Sequence, residues 1–310
     1  MPKVLLVVLL LTGVASCATS PEGRSQLVPP APLQGFSAVY SEFDMRLQLV
    51  TAAAAPACRE AECAANSAFE QRILAIGRRL AEVAYRQHAD LHLRFPRFEF
   101  VIADKADPGA TSSAGGTVVI FRGVRHLGLD DGALGFVLAR EMSHVIAGHH
   151  DENVTTSILV AVAAQILLPV LNIARGAAAA FSSSAATTAA ATTATTAVTT
   201  TAVASAASYA GSRALRASYR PLQVKEAESL AMKLLVAAGW EGRDVSDQLE
   251  SMTPALPDEP GWTAELRESG RRIASQMQGP PLPEASPTAV APLQMAPVLP
   301  LPPPMVSKPF

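Results

Sequence analysis

The residues with the clearest chemical potential in the 310-residue chain lie in one short stretch, from Arg140 to His144. Glu141 and His144 are three positions apart, so on a helix they share one face. In the pattern His-Glu-x-x-His, two imidazoles hold a zinc ion and the Glu carboxylate activates the metal-bound water. Here the first position is Arg140, whose guanidinium stays protonated and offers no lone pair to a metal. The stretch therefore predicts a degenerate zinc site, with His144 as the retained ligand and Glu141 at the position of the general base.

The elements predicted around this stretch follow a recognisable order. A strand at 98–102 precedes a loop with two glycines, and a strand at 117–121 is followed by an Asp-capped, apolar helix at 132–150. This order, with the sequence FVLAREMSHVIAGHH, resembles the zinc metallopeptidases that include the CAAX prenyl protease and the heat-shock protease HtpX (peptidase family 48 of the metallo class), particularly their periplasmic lipoprotein members. The resemblance covers about residues 66–275. It implies an α+β, zincin-like fold in which a small sheet with an edge strand packs on the motif helix and on further helices.

The resemblance also implies a third zinc ligand, a Glu in the pattern E-x-x-A-D on a later helix. The matching segment places Val224 at the ligand position and Glu228 at the Asp position. Valine has no ligand atom, so two of the three expected ligands are missing, in separate parts of the chain. We therefore expect no cofactor and an impaired or absent activity. The alternative is an active metalloendopeptidase that binds zinc through a non-standard ligand set, with Glu141 as general base.

We expect Arg140 to fill the vacated metal position with its own charge, in an ion pair with Glu141, Glu226 or Glu228. Such a pair would hold together the two helices that zinc bridges in the family. The alternative is that Arg140 faces solvent at the rim of the cleft.

Other side chains near the motif are poor substitute ligands. On a continuous helix His149 would lie about 140° from His144, and His150 would be placed still less well for the same cleft. Glu226 is only two residues from the third ligand position, but on a helix it points away from that position by about 200°. A site rebuilt through Glu226 would therefore need a shift in register.

The resemblance places a peptide-binding edge at Gly115, Gly116, Thr117 and Val118, because in the family this strand borders the cleft. An exposed strand edge can hold an extended peptide by adding it to the sheet.

The N-terminus has the features of a bacterial lipoprotein. Residues 1–16 read as a signal peptide, with Lys3, the apolar run 4–11 and small residues before Cys17. We expect acylation of Cys17 and, because residue 18 is not Asp, sorting to the outer membrane with the body facing the periplasm. The alternative is an ordinary signal peptide with a chance cysteine. The Pro-containing residues 17–35 are predicted to be a lipidated tether.

Composition limits the remaining possibilities. A net charge of −2 and a pI near 6.3 give no basic surface for nucleic acid. Cys58 and Cys63 are predicted to form a local disulfide in an oxidising periplasm, which requires a turn between them. A zinc site made from these two thiols lacks a second ligand pair.

The body is predicted to span 36–278. Within it, the Ala/Thr-rich insert at 155–217 is read as a helical hairpin or a mobile insert, with a pair of weak membrane helices as the alternative. The Pro-rich tail at 279–310 is predicted to be disordered or polyproline II.

Three functions remain open from the sequence. The preferred one is a lipid-anchored adaptor or chaperone-like protein that binds a periplasmic or outer-membrane protein or peptide. The second is the active peptidase described above. The third is a structural outer-membrane lipoprotein with no ligand cleft.

Overall fold

A computed structural model describes residues 16–29, 34–157, 220–252 and 261–278. The predicted insert at 155–217, apart from its first three residues, and the tail at 279–310 lie outside these ranges, as does nearly all of the signal peptide. No helix within the described ranges is long and apolar enough to cross a bilayer.

The chain is mixed α+β, as the sequence predicts, with a small sheet and a majority of helix. The strands are β1 Ser16–Thr19, β2 Ser25–Val28, β3 Glu99–Ala103, β4 Ala110–Ser112 and β5 Thr117–Phe121, followed by a 3-10 helix at Arg122–Leu127. The helices are α1 Gln34–Thr51, α2 Glu60–Gln87, α3 Leu91–Arg94, α4 Asp131–Ile146, α5 at 149–157, α6 at 220–237, α7 Gly242–Ser251 and α8 Trp262–Gln278.

The three-stranded sheet has the order β3-β5-β4. β5 lies in the centre, parallel to β3 and antiparallel to β4, and its middle residues Val118, Val119 and Ile120 are buried. Both β4 and β5 contact the motif helix α4. Because a central strand is covered on both sides, its continuous apolar run is the expected pattern. β4 pairs only with β5 among the described strands, so it is an edge strand, and it lies against α4.

Helix α2 packs on α4 through a stripe of buried apolar residues. Its buried positions include Ile73, Leu80 and Val83, spaced at helical intervals. The helix begins at Glu60, so Cys58 lies just before it and Cys63 lies in its first turn. Cys58 and Cys63 form a disulfide with their Cα atoms 5.2 Å apart.

Helix α4 begins as predicted and ends sooner than predicted. The Asp130 side chain accepts a hydrogen bond from the backbone N–H of Ala133, which caps the first turn. The helix ends at Ile146, because Gly148 adopts a left-handed φ of 70° at the position after the C-cap. The predicted continuous helix at 132–150 is wrong at this point, and His149 starts the next helix in a new direction.

Residues 16–28 form a β-hairpin rather than the predicted flexible tether. Cys17 pairs with Leu27 across the two strands, and the Cys17 side chain is exposed. At the turn, Glu22 accepts hydrogen bonds from Lys233 and Ser229 of α6. These polar contacts dock the hairpin on the body, which Pro-rich composition alone cannot indicate.

Candidate active-site cleft

One cavity of about 710 Å³ contains both segments that the sequence predicts to form a degenerate zinc motif. Arg140, Glu141 and His144 of α4 line it together with Val224 of α6, so the two positions that are predicted to lack a ligand meet in space. The walls also include β4, the polar face of α1, and the start of α8. The site residues that the sequence singled out on α4 and α6 therefore belong to one cleft.

Arg140 lies inside the protein, with 3 % of its surface exposed. This excludes the alternative in which it faces solvent. Its nearest acceptors are Ser269 Oγ at 3.5 Å, and carboxylate oxygens of Glu141 and Glu265, each at 3.8 Å. The predicted pairing with Glu141 is present as a long contact, and Arg140 links α4 to α8 instead of to α6.

The predicted pairs of Arg140 with Glu226 and Glu228 are wrong, because other cations reach those carboxylates. Glu228 is 1 % exposed and accepts bonds of 2.6 and 2.9 Å from Arg272, with a third of 2.5 Å from the Ser269 hydroxyl. Ser269 thereby connects Arg140 to Glu228 indirectly. Nothing in the motif indicates that α8 supplies these partners.

Glu141 is held by groups on β4 and α5. The Ser112 hydroxyl donates to Glu141 over 3.1 Å and lies 3.1 Å from His150 Nε2, so the imidazole is the donor to that oxygen. Burial raises the pKa of Glu141, and the nearby Arg140 and the Ser112 hydrogen bond only partly oppose the rise. Burial also lowers the pKa of His150 to about 3, so this ring is neutral at physiological pH.

His144 contacts His149, although on the predicted continuous helix the two side chains would point in different directions. Their Nδ1 atoms are 2.8 Å apart, and His149 Nε2 lies 3.1 Å from a carboxylate oxygen of Glu226. The break at Gly148 causes this arrangement, because the chain changes direction there and His149 comes to lie on the same side as His144. A glycine just beyond a helical stretch is a C-cap signal, so the break was within reach of sequence reasoning.

Glu226 is ionised at neutral pH and forms one end of a hydrogen-bonded series with His149 and His144. Burial raises the pKa of Glu226, but hydrogen bonds from His149, Ser20 and Arg24 outweigh burial and lower it to about 2. The ionised carboxylate of Glu226 accepts a hydrogen bond from His149 Nε2–H, and the two facing Nδ1 atoms of His144 and His149 share one proton between them. Burial lowers the pKa of His144 well below its usual value, which keeps the ring neutral.

Arg24 of the N-terminal hairpin completes the polar network. It donates two bonds of 2.8 Å to Glu152 and one of 2.8 Å to Glu226, while Gln223 donates to Glu152 over 2.9 Å. Both carboxylates are about 5 % exposed or less. A buried carboxylate needs such a partner, since an unpaired charge costs several kcal/mol. No motif or spacing in the sequence indicates a role for Arg24, which lies in the segment predicted to be a tether.

The strand that borders the cleft differs from the one implied by the resemblance. Thr117 and Val118 belong to the central strand β5, and Gly115 and Gly116 lie in the turn before it. Gly116 has a φ of 88°, and a Cβ there would meet the ring of Phe95. The residues that line the cavity are instead those of the edge strand β4, Ala110–Ser112.

The side chains at the three ligand positions do not fit a zinc ion. Arg140 carries a fixed positive charge, Val224 has no donor atom, and only the imidazole of His144 offers a lone pair. Across the described ranges, no group of three or more His, Cys, Asp or Glu side chains is arranged to hold a metal. His149 engages both ring nitrogens, and Arg24 and His149 both bond to Oε2 of Glu226, while the buried Oε1 has no hydrogen-bond partner among the described residues.

Comparison with known protein families finds one family model that matches this sequence. The sequence model of peptidase family M48 matches residues 70–268, which is most of the body. The chain belongs to peptidase family M48. No curated protein and no solved structure matches it. The matched range includes the motif helix, α6 and the first turns of α8, so an M48 metallopeptidase-like body carries an altered set of residues at its centre.

Proposed function

We propose that this M48 family member binds peptides or unfolded protein segments without zinc and without hydrolysis, at the periplasmic face of the outer membrane. The observation that carries the proposal is the buried guanidinium of Arg140 at the first metal-ligand position. A cation there repels a divalent metal, and a catalytic zinc site needs three protein ligands and a water. The cleft itself persists, with the edge strand β4 in its wall.

The alternative is an active metalloendopeptidase with Glu141 as the general base. One observation favours it: His144 is held by a hydrogen bond at Nδ1 to a neighbouring side chain, as zinc-bound histidines are held through the ring nitrogen that does not bind the metal. Against it stands the engagement of Glu141 by Ser112 and its contact with Arg140, which orient the carboxylate within the protein. Family membership by itself does not decide between these functions.

Restoring the missing ligands tests whether the cleft is a lost metal site. We expect the double variant Arg140→His, Val224→Glu to take up one zinc ion per chain, because it supplies two ligands beside the imidazole of His144. Zinc is measured by mass spectrometry after dialysis. The control variant Arg140→Ala, Val224→Ala removes the guanidinium without adding ligands, and we expect it to bind no zinc. A double variant that binds none would contradict the claim that the ligand geometry survives.

The membrane location rests on Cys17, which is exposed at the end of a docked hairpin. We expect the mature chain to begin at Cys17 with acyl chains attached, and to sediment with outer membranes when expressed in a bacterium with lipoprotein sorting. Cys17→Ser should move the protein to the soluble periplasmic fraction, since each buried CH₂ of the lipid contributes about 0.8 kcal/mol to anchoring. An unmodified, soluble wild-type chain would refute the anchor.

A docked hairpin also affects where the cleft lies. Arg24, whose side chain holds Glu152 and Glu226, is seven residues from Cys17. An extended chain covers at most about 3.5 Å per residue, so the lipid attachment point lies within roughly 25 Å of this network. We propose that the anchor holds the body close to the membrane, because no long flexible linker separates the two. This position favours the binding of peptides and unfolded segments at the membrane surface.

A further inference from the structure

We infer that Arg140 binds the free C-terminal carboxylate of a peptide held in the cleft, with the indole N–H of Trp262 as a second donor. This inference rests on the proposed peptide-binding function and names the chemical group that the cleft recognises. It assigns the substituted residue a binding role beyond the loss of zinc.

The first support comes from comparing three arginines around the same cleft. Arg24 and Arg272 each bond their carboxylates at distances between 2.6 and 2.9 Å. These are the lengths of charge-assisted hydrogen bonds. Arg140 is more deeply buried than either, yet its closest acceptors lie at 3.5 and 3.8 Å, and its Nε has no partner among the described residues. Its donor capacity is therefore largely unused.

The second support is another donor beside it. The Nε1 of Trp262 is buried and has no hydrogen-bond partner within the described parts of the chain. The Arg140 Cζ lies 5.9 Å from the centre of the Trp262 ring, and both residues line the cavity. Buried donors without partners cost about 1–3 kcal/mol each in general, so they indicate an acceptor that arrives with a ligand.

The charges around Arg140 favour a single negative charge on that ligand. Glu265 has its own partner in Arg220, at 2.8 Å, and Glu141 accepts a hydrogen bond from Ser112 over 3.1 Å. Arg140 thus keeps much of its positive charge for a ligand. A phosphate dianion would meet both acidic side chains at close range, whereas a planar carboxylate matches the guanidinium with one charge.

The shape of the cleft favours a peptide as the carrier of this carboxylate. All three residues of the edge strand β4 line the cavity that contains Arg140. An edge strand binds extended peptide backbone of many sequences, because its contacts are main-chain hydrogen bonds. Side-chain specificity is then low, and the C-terminus supplies the fixed point.

The test compares two forms of one probe on the full-length protein. Dye-labelled octapeptides randomised at every position are prepared with a free C-terminal carboxylate and with a C-terminal amide, and binding is followed by fluorescence anisotropy. We expect the acid form to bind about 10- to 100-fold more tightly than the amide, the range for a hydrogen bond to a charged group. Arg140→Gln should reduce binding of the acid to the level of the amide and leave the amide unchanged.

Matched variants and competitors make the outcome decisive. Trp262→Phe should weaken acid binding selectively, while Arg271→Gln, an exposed change outside the cavity lining, should preserve the acid-to-amide ratio. Equal binding of acid and amide by the wild type overturns this inference and leaves the proposed peptide binding intact, even if Arg140→Gln does not fold. Competition by inorganic phosphate as effective as that by acetate also overturns it. Absence of binding in either form overturns both proposals.

Discussion

Replacing Arg272 by methionine is expected to lower the free energy of unfolding by about 3–5 kcal/mol, the usual cost of breaking a buried ion pair from one side. The variant leaves the carboxylate of Glu228, which is 1 % exposed, with the Ser269 hydroxyl as its remaining bonded partner. Arg272 donates to both oxygens of this carboxylate in the wild type. Urea denaturation monitored by circular dichroism measures the change.

The neighbouring arginine is the matched control. Arg271 pairs with Glu268 at the surface and is 62 % exposed. Arg271→Met should therefore change stability by no more than about 0.5 kcal/mol. Arg272→Met combined with Glu228→Met should recover most of the loss, because an apolar pair of similar volume often replaces a buried ion pair without cost. Equal losses for Arg271→Met and Arg272→Met would show that the buried pair does not stabilise the fold.

Arg24→Met is expected to destabilise the protein by a comparable amount, about 3–5 kcal/mol, because one substitution deprives two buried carboxylates of their cation. Arg24 donates to both oxygens of Glu152 and to one oxygen of Glu226. The loss should also release the N-terminal hairpin, which limited proteolysis would detect as new cleavage between residues 18 and 34. Arg97→Met, which removes an exposed pair with Glu99, is the control and should do neither.

The effect of Arg24→Met should also depend on pH. Glu226 has a pKa of about 2 in the folded protein, below its ordinary value of 4.5. A depressed pKa contributes stability that is fully present above 4.5 and is lost as the pH falls toward 2. The difference in unfolding free energy between wild type and variant should therefore be largest near pH 7 and narrow below about pH 4.5. A difference that is constant from pH 7 to pH 3 would contradict the role assigned to this pair.

The elements that carry the motif were predictable from the sequence because their apolar residues repeat regularly. The stripe of α2 and the apolar run of β5 both produce strong signals, and Asp130 marks the start of α4. These signals depend on neighbours along the chain. They sufficed to predict the mixed fold and to bring Arg140, His144 and Val224 into one cleft.

Helix α1 also carries a regular apolar stripe, but this stripe is exposed and the polar side of the helix lines the cavity. Ser41 and Gln48 face the cleft, whereas Phe43 is 65 % exposed and Val50 is 81 % exposed. Prediction of a buried face from hydrophobic periodicity assumes that apolar residues point inward. A helix whose polar side lines a polar cavity breaks that assumption.

The partners of the buried carboxylates were beyond sequence reasoning for a different reason. Arg24 and Arg272 lie 128 and 44 residues away in sequence from the Glu residues that they pair with, Glu152 and Glu228. Ion pairs at such separations depend on how helices and strands pack together. The local sequence around an arginine does not indicate which distant carboxylate it will pair with. His149 was a different case, since Gly148 gave a local sign of the helix break that brings it to His144.

At the predicted ligand positions on α4, His144 is held by His149 and Arg140 is buried. The acidic groups that could have drawn in a metal are each held by a cation or a hydroxyl of this chain: Glu141 by Ser112, Glu226 by Arg24 and Glu228 by Arg272. Charge compensation that a metal provides in an active relative is thus supplied here by arginine.

The most direct test of this account is the zinc content of the full-length wild-type protein, purified at neutral pH without chelators and analysed by inductively coupled plasma mass spectrometry. The account predicts that no stoichiometric zinc is retained, before or after incubation with a small excess of zinc and dialysis. One zinc ion per chain, lost on His144→Ala, would contradict it and establish a metallopeptidase with a non-standard ligand set.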